Sequence, residues 1–225
     1  MTSNEPADGG APSLPSATRQ DLQLGRRLFH LVNGVATATA YGIFFTHEQI
    51  VRLFGVVACL IYIIDQIRIA YPDAVSRYAP WVNRTFVRAE ERARESAMIP
   101  YAIAVLLTII AVPKYAALVA IGTLAIADPL AAIVGIRLGR WRIAHNRSFE
   151  GSAAFFLATT AIATLVFRLG TSATPSRVGW CAAAIGLVAS TVEILPLRID
   201  DNLTIPIFTG FATWAIAGLF GVPVS

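Results

Sequence analysis

The sequence predicts an all-α, polytopic helical membrane protein of about seven transmembrane helices. Of its 225 residues, 56% are hydrophobic and 14% charged. A soluble domain carries about 25% charged residues, so this composition cannot cover a water-exposed surface of normal size. Its apolar runs approach the roughly 20 residues that a helix needs to span hydrocarbon. The strict apolar/polar alternation of a β-barrel is absent, which leaves helices as the spanning element.

In chain order, residues 1–22 read as a disordered tail rich in Pro, Gly, Ala and Ser. They lack the apolar middle of a signal peptide. The spans follow at about 28–46, 50–67, 98–112, 115–137, 152–169, 178–196 and 203–222, so residues 23–225 form one transmembrane domain. Between the second and third spans, residues 72–96 alternate Tyr78, Trp81, Val82, Phe86 and Ala89 with arginines and glutamates at helical spacing. An amphipathic helix lying in the cytoplasmic interface is expected there. Cys59 and Cys181 fall inside spans and read as small buried hydrophobes.

The basic residues set the orientation. With the N-terminus inside, Arg19, Arg26 and Arg27, the arginines from Arg68 to Arg94, those from Arg137 to Arg147, and Arg198 all face the cytoplasm. Only Arg52, Lys114, Arg168 and Arg177 lie outside. That bias predicts an N-in, C-out topology. It also accounts for the net charge of +4 without a nucleic-acid partner.

Polar residues gather at the cytoplasmic ends of the spans, where an ionisable group is costly and marks a candidate functional site. Arg26, His30 and Gly34 share one face of the first span, and a guanidinium there suits phosphate. Asp128-Pro129 is expected to break the fourth span, with Asp128 capping its second half and serving as a magnesium ligand. Ala131, Ala132, Gly135 and Gly139 form a small-residue face behind it. At the opening of the fifth span, Ser148 is expected to cap the helix. Arg147, Gly151 and Ser152 then line an anion site at the first turn, and Glu150 completes the cap or supports a metal. Glu193, Asp200 and Asp201 suit a hard cation such as magnesium, with Asn202 or Thr204 capping the last span. No P-loop, protein-kinase signature, HExxH or nucleophile elbow is present.

Four blocks resemble the integral-membrane polyprenol kinase family, which includes dolichol kinase, phytol kinase and the CTP-dependent diacylglycerol kinase of yeasts. They are Arg26-Arg27-Leu28-Phe29-His30 with Gly34; Asp128-Pro129-Leu130-Ala131-Ala132 with Gly135 and Gly139; Arg147-Ser148-Phe149-Glu150-Gly151-Ser152; and Asp200-Asp201-Asn202-Leu203-Thr204-Ile205-Pro206. They occur in order over about residues 24–222. Arg147 stands where that family usually has Lys.

The resemblance implies a kinase of the cytoplasmic membrane with its active site on the cytoplasmic face. It would use a nucleoside triphosphate, CTP as donor, with Mg2+ or another divalent cation. The acceptor would be a membrane lipid alcohol, either an isoprenoid alcohol or diacylglycerol. In this reading Asp128, Glu193 and Asp201 hold the metal. Arg147, Ser148, Gly151, Ser152, Gly135 and Asn202 surround the nucleotide phosphates. Arg26, His30, Glu150 and Asp128 are the candidates for charge stabilisation and proton transfer. The alternatives are a cytidylyltransferase that makes a CDP-lipid, and a non-enzymatic transporter.

Overall fold

A computed structural model describes residues 19–79, 98–144, 147–195 and 201–225; side chains are described from Leu28 onward, except those of residues 29, 30 and 144. Helix α1 spans Arg19–Ile43, so residues 19–22, read from sequence as part of the tail, are already helical. Helix α2 spans His47–Ala70. It opens on a capping box in which Thr46 Oγ accepts from the Gln49 amide and the Gln49 side chain accepts from the Thr46 amide. Helix α3, Pro72–Tyr78, covers the start of the expected interfacial helix. The remainder of that expectation, 80–96, lies outside the described residues.

Helix α4 is Met98–Ala111 and helix α5 is Lys114–Arg137. A short antiparallel pair follows, β1 Arg142–Ala144 with β2 Arg147–Ser148. The all-α expectation missed this pair, because Trp141-Arg142-Ile143 carries a period of two only briefly, between two helical runs. Helices α6 Phe149–Gly170, α7 Pro175–Ile194 and α8 Asp201–Phe220 complete the described chain. Among the described residues, helices α2, α5, α6, α7 and α8 are long and apolar enough to cross a membrane, and α4 is apolar over its 14 described residues. That is the architecture of a polytopic helical membrane protein.

Helix α5 lies at the centre. In its most apolar window 67% of residues are buried, against 11% for α2. It packs on α1, α4, α6 and α8. Between lipid-facing helices, close backbone approach drives association more than burial of bulk does. Ala116, Ala117, Ala120, Ala125, Ala127 and Ala131 give α5 the slim surface this requires. Gly34 of α1 meets Ala125 so closely that a Cβ there would collide with the alanine Cβ, and it would also lie 3.3 Å from Tyr101 Oη.

Asp128-Pro129 does not break α5. Residues Thr123–Ala127 form one π-helical turn, and the Asp128 amide donates back to the Thr123 carbonyl, five residues earlier. Asp128 keeps helical angles, φ −62° and ψ −52°. The widened turn absorbs the donor that Pro129 lacks, so Asp128 is a residue within a continuous helix and not an N-cap. A second correction concerns α8. Asp201 is already helical, which puts Asn202 and Thr204 inside the helix instead of at the cap, and Pro206 within the helix.

Candidate functional site

The end of α5 and the start of α6 cross without side chains between them. A Cβ on Gly135 would lie 3.0 Å from Ser148 Oγ, and one on Gly151 would lie 2.9 Å from the Ala131 carbonyl. Ser148 is the N-cap of α6, as its sequence position predicts, and its Oγ accepts from the Gly151 amide at 3.1 Å. Gly135, Ser148 and Gly151 therefore meet, and Ser148 and the adjacent Ser152 are buried.

Arg147 precedes this cap and reaches across to two other helices. Its Nη1 lies 2.6 Å from Oε1 of Glu193, at the end of α7, and its Nη2 lies 2.7 Å from Oδ2 of Asp201, at the start of α8. The Ser152 hydroxyl donates to the other Glu193 oxygen at 3.0 Å. One guanidinium thus ties three helix ends together over the first turn of α6, where amide groups and the helix dipole favour an anion. The Glu193 side chain is 2% exposed, the Arg147 side chain 26% and the Asp201 side chain 49%, so the cluster is buried on its α7 side and open at Asp201.

These contacts bear on two expected roles. Both Glu193 oxygens are engaged by protein donors, which makes the residue an anchor for Arg147 as well as a candidate metal ligand. The Glu150 carboxylate accepts from the backbone amides of Arg140 at 3.0 Å and Trp141 at 3.4 Å. It fixes the turn between α5 and β1 instead of completing the Ser148 cap. Asp128, half-buried, lies seven residues before Gly135, about 10 Å deeper along α5. Among the described residues no three His, Cys, Asp or Glu side chains converge as a metal site. Asn202 is buried in the first turn of α8, next to Asp201. Arg26 and His30 lie on α1, but their side chains are outside the described set, and Asp200 is outside it entirely.

An ion pair that the sequence reading passed over lies in α2. Arg68 Nε and Nη2 approach Asp65 Oδ1 at 2.9 and 2.8 Å, and both side chains are nearly inaccessible. Arg68, one of the arginines whose bias predicts the orientation, lies inside the last turn of α2. The available signal was Asp65 itself, a carboxylate one turn from an arginine in an otherwise apolar run.

The chain is similar to the uncharacterized protein RP860 of Rickettsia prowazekii (strain Madrid E), at 30% identity over 198 residues that cover 83% of this chain and 91% of that one. No family model matches the chain. No solved structure matches it either. The chain belongs to the same family as the Rickettsia prowazekii protein.

Proposed function

We propose that this member of the family is a lipid-alcohol kinase of the cytoplasmic membrane, transferring the γ-phosphate of CTP to an isoprenoid alcohol or diacylglycerol. The observation that carries the reading is the Arg147 guanidinium held over the capped N-terminus of α6 by Glu193 and Asp201. Phosphoryl transfer asks a protein mainly for position and charge stabilisation, and a planar guanidinium beside the positive end of a helix dipole supplies both. The topology that goes with this reading has α1 and α4 completing seven crossings, the N-terminus inside, and the Arg147 cluster at the cytoplasmic face.

In this mechanism the nucleotide's phosphates lie against Arg147 and the first turn of α6, and Glu193 keeps the guanidinium from swinging away. The lipid enters between helices with its tail in the bilayer, and its hydroxyl oxygen attacks the γ-phosphorus. The bond to the β,γ-bridging oxygen breaks, and CDP leaves. The hydroxyl proton passes to a carboxylate. Asp128 and Glu150 are the candidates for that step. Magnesium, bound with the nucleotide, would neutralise phosphate charge; it takes one or two carboxylates plus phosphate oxygens, which Asp201 and Glu193 beside Arg147, or Asp128 deeper along α5, would supply.

The test uses detergent-purified protein with magnesium and γ-labelled CTP, offered separately with phytol, a polyprenol and diacylglycerol. Label in an organic-soluble lipid phosphate is the expected result, and Asp128→Asn should abolish it while the protein remains in the membrane. No labelled lipid, but release of pyrophosphate when phosphatidic acid is supplied, replaces the kinase with a cytidylyltransferase. Neither product overturns both.

A further inference from the structure

The two arms of the Arg147 guanidinium make contacts of unequal kind. Nη1 lies 2.6 Å from Glu193 Oε1, and the other Glu193 oxygen accepts from the Ser152 hydroxyl at 3.0 Å. That carboxylate is 2% exposed, so water cannot take the place of either donor. Nη2 lies 2.7 Å from Asp201 Oδ2, and the Asp201 side chain is 49% exposed. Among the described residues, Arg147 is the ionic partner of Asp201.

Opening the two arms has different consequences. Without Arg147, Glu193 would be a buried carboxylate lacking its cation, which is strongly unfavourable. Asp201, once released, is hydrated at once, and an ion pair this exposed favours its closed form by about fivefold at most. A phosphate oxygen meets a guanidinium in the same planar geometry as a carboxylate oxygen does, and brings more charge. Nη1 is therefore the fixed arm and Nη2 the exchangeable one. Charge points the same way. One guanidinium shared by two carboxylates leaves the cluster with negative charge in excess, so an anion can settle on Arg147 only when a carboxylate withdraws. Asp201 is the one free to do so.

We propose that Asp201 is an autoinhibitory counter-ion: it fills the Nη2 arm of Arg147 in the free protein, and the phosphate of an incoming nucleotide displaces it while Glu193 keeps Nη1. This rests on the reading that Arg147 receives phosphate. The exchange has a structural consequence, because the displaced contact is the ion pair that ties the start of α8 to the start of α6. The tie from α6 to α7 through Glu193 and Ser152 stays closed, so the guanidinium does not lose its position when its second partner changes. An anion too weak to compete with a carboxylate is kept off the site.

The experiment titrates pyrophosphate and CTP separately into the detergent-purified full-length protein by calorimetry, with EDTA present to keep divalent cations out. Asp201→Asn should tighten pyrophosphate binding by about three- to fivefold. The same substitution made in Arg147→Gln should gain less than about twofold, since the arm that Asp201 occupies is then gone. Relief of charge repulsion alone gives equal gains in both backgrounds, and that result overturns the proposal. So does unchanged or weaker pyrophosphate binding in Asp201→Asn; the kinase reading survives either result where CTP still binds. Should Arg147→Gln fail to fold or to bind, Arg147→Lys replaces it: an ammonium held by Glu193 has no second planar nitrogen for Asp201, so the gain should shrink there too. Pyrophosphate binding with the expected gains, but no binding of CTP, supports the displaced counter-ion and sinks the kinase reading. No binding of either anion in any form overturns both.

Discussion

The two ends of the bundle use their charges in opposite ways. At one end the termini of α5, α6, α7 and α8 meet, and Arg147, Glu193, Asp201 and Ser152 bond across positions far apart in sequence. At the other end Lys114 donates to the Gly42 carbonyl at 3.3 Å and stands 5.4 Å over the Tyr41 ring, while Tyr41 Oη is hydrogen-bonded to His47 Nδ1 at 2.7 Å. Glu48, at that same end, pairs with Arg52 one turn away on an exposed surface. The second end satisfies its cation with a backbone carbonyl and a ring face, which suffices to set a helix end. The first draws a buried carboxylate, a half-exposed carboxylate and a guanidinium into one cluster. Such a cluster carries a desolvation cost that topology alone does not demand, and that points to a function.

The comparison is tested most severely by removing the cation at each end. Arg147→Ala leaves Glu193 buried with only the Ser152 hydroxyl. The expected loss is roughly 2–3 kcal/mol, somewhat below that of a fully buried pair because Arg147 is partly exposed, and this corresponds to a melting temperature lower by about 5–10 °C in detergent. Phosphoryl transfer should fall by more than about 100-fold. Lys114→Ala should shift melting by no more than about 3 °C and leave transfer within about twofold. If Lys114→Ala proves the more damaging, the functional end has been misassigned.

A smaller effect separates the glycines of the two ends. A Cβ on Gly151 would press on the Ala131 carbonyl and Ser148 Oγ, whereas one on Gly218, near the far end of α8, meets nothing within 4 Å. Gly151→Ala should cost about 1–3 kcal/mol by overpacking, and Gly218→Ala should be neutral or gain up to about 1 kcal/mol of helix propensity. Parallel melting curves decide it. The rule is not uniform at the far end, since Gly170 is pressed by the Tyr115 ring.

Much of this arrangement was readable from residue types, and the unread parts share a cause. Five of the expected spans, those of α2, α5, α6, α7 and α8, announced themselves because lipid demands long apolar runs. Ser148 announced its cap because a hydroxyl before a helical run has few other uses. Arg147, Glu193 and Asp201 were legible as neighbours at one membrane face, but not as partners of one another. Three polar types suited to phosphate and metal are equally suited to an ion pair, and only geometry chooses between those uses. The π turn before Asp128 was invisible because the lost donor of Pro129 can be met by a break or by a shift of register, and sequence does not choose. Glu150 found its amides on a turn whose path no local pattern predicts. Asp65 was overlooked because Arg68 already had an explanation in the charge bias of the loops.

The smallest contrast concerns single hydroxyls. Ser152→Ala removes the donor to a Glu193 oxygen that is buried, and a buried charged acceptor left without its donor costs about 1.5–3 kcal/mol. Tyr41→Phe removes a bond of similar length, but His47 is exposed and water takes the vacated position. The expected cost there is about 0.5–1 kcal/mol. Both variants keep every ion pair, so their difference isolates burial of the acceptor from loss of charge. Comparing the two melting shifts in one detergent reads that difference directly. Equal shifts would mean that Glu193 is reached by water and held by Arg147 alone; the anchoring of the guanidinium would then rest on the ion pair, and Ser152 would be a packing residue of α6.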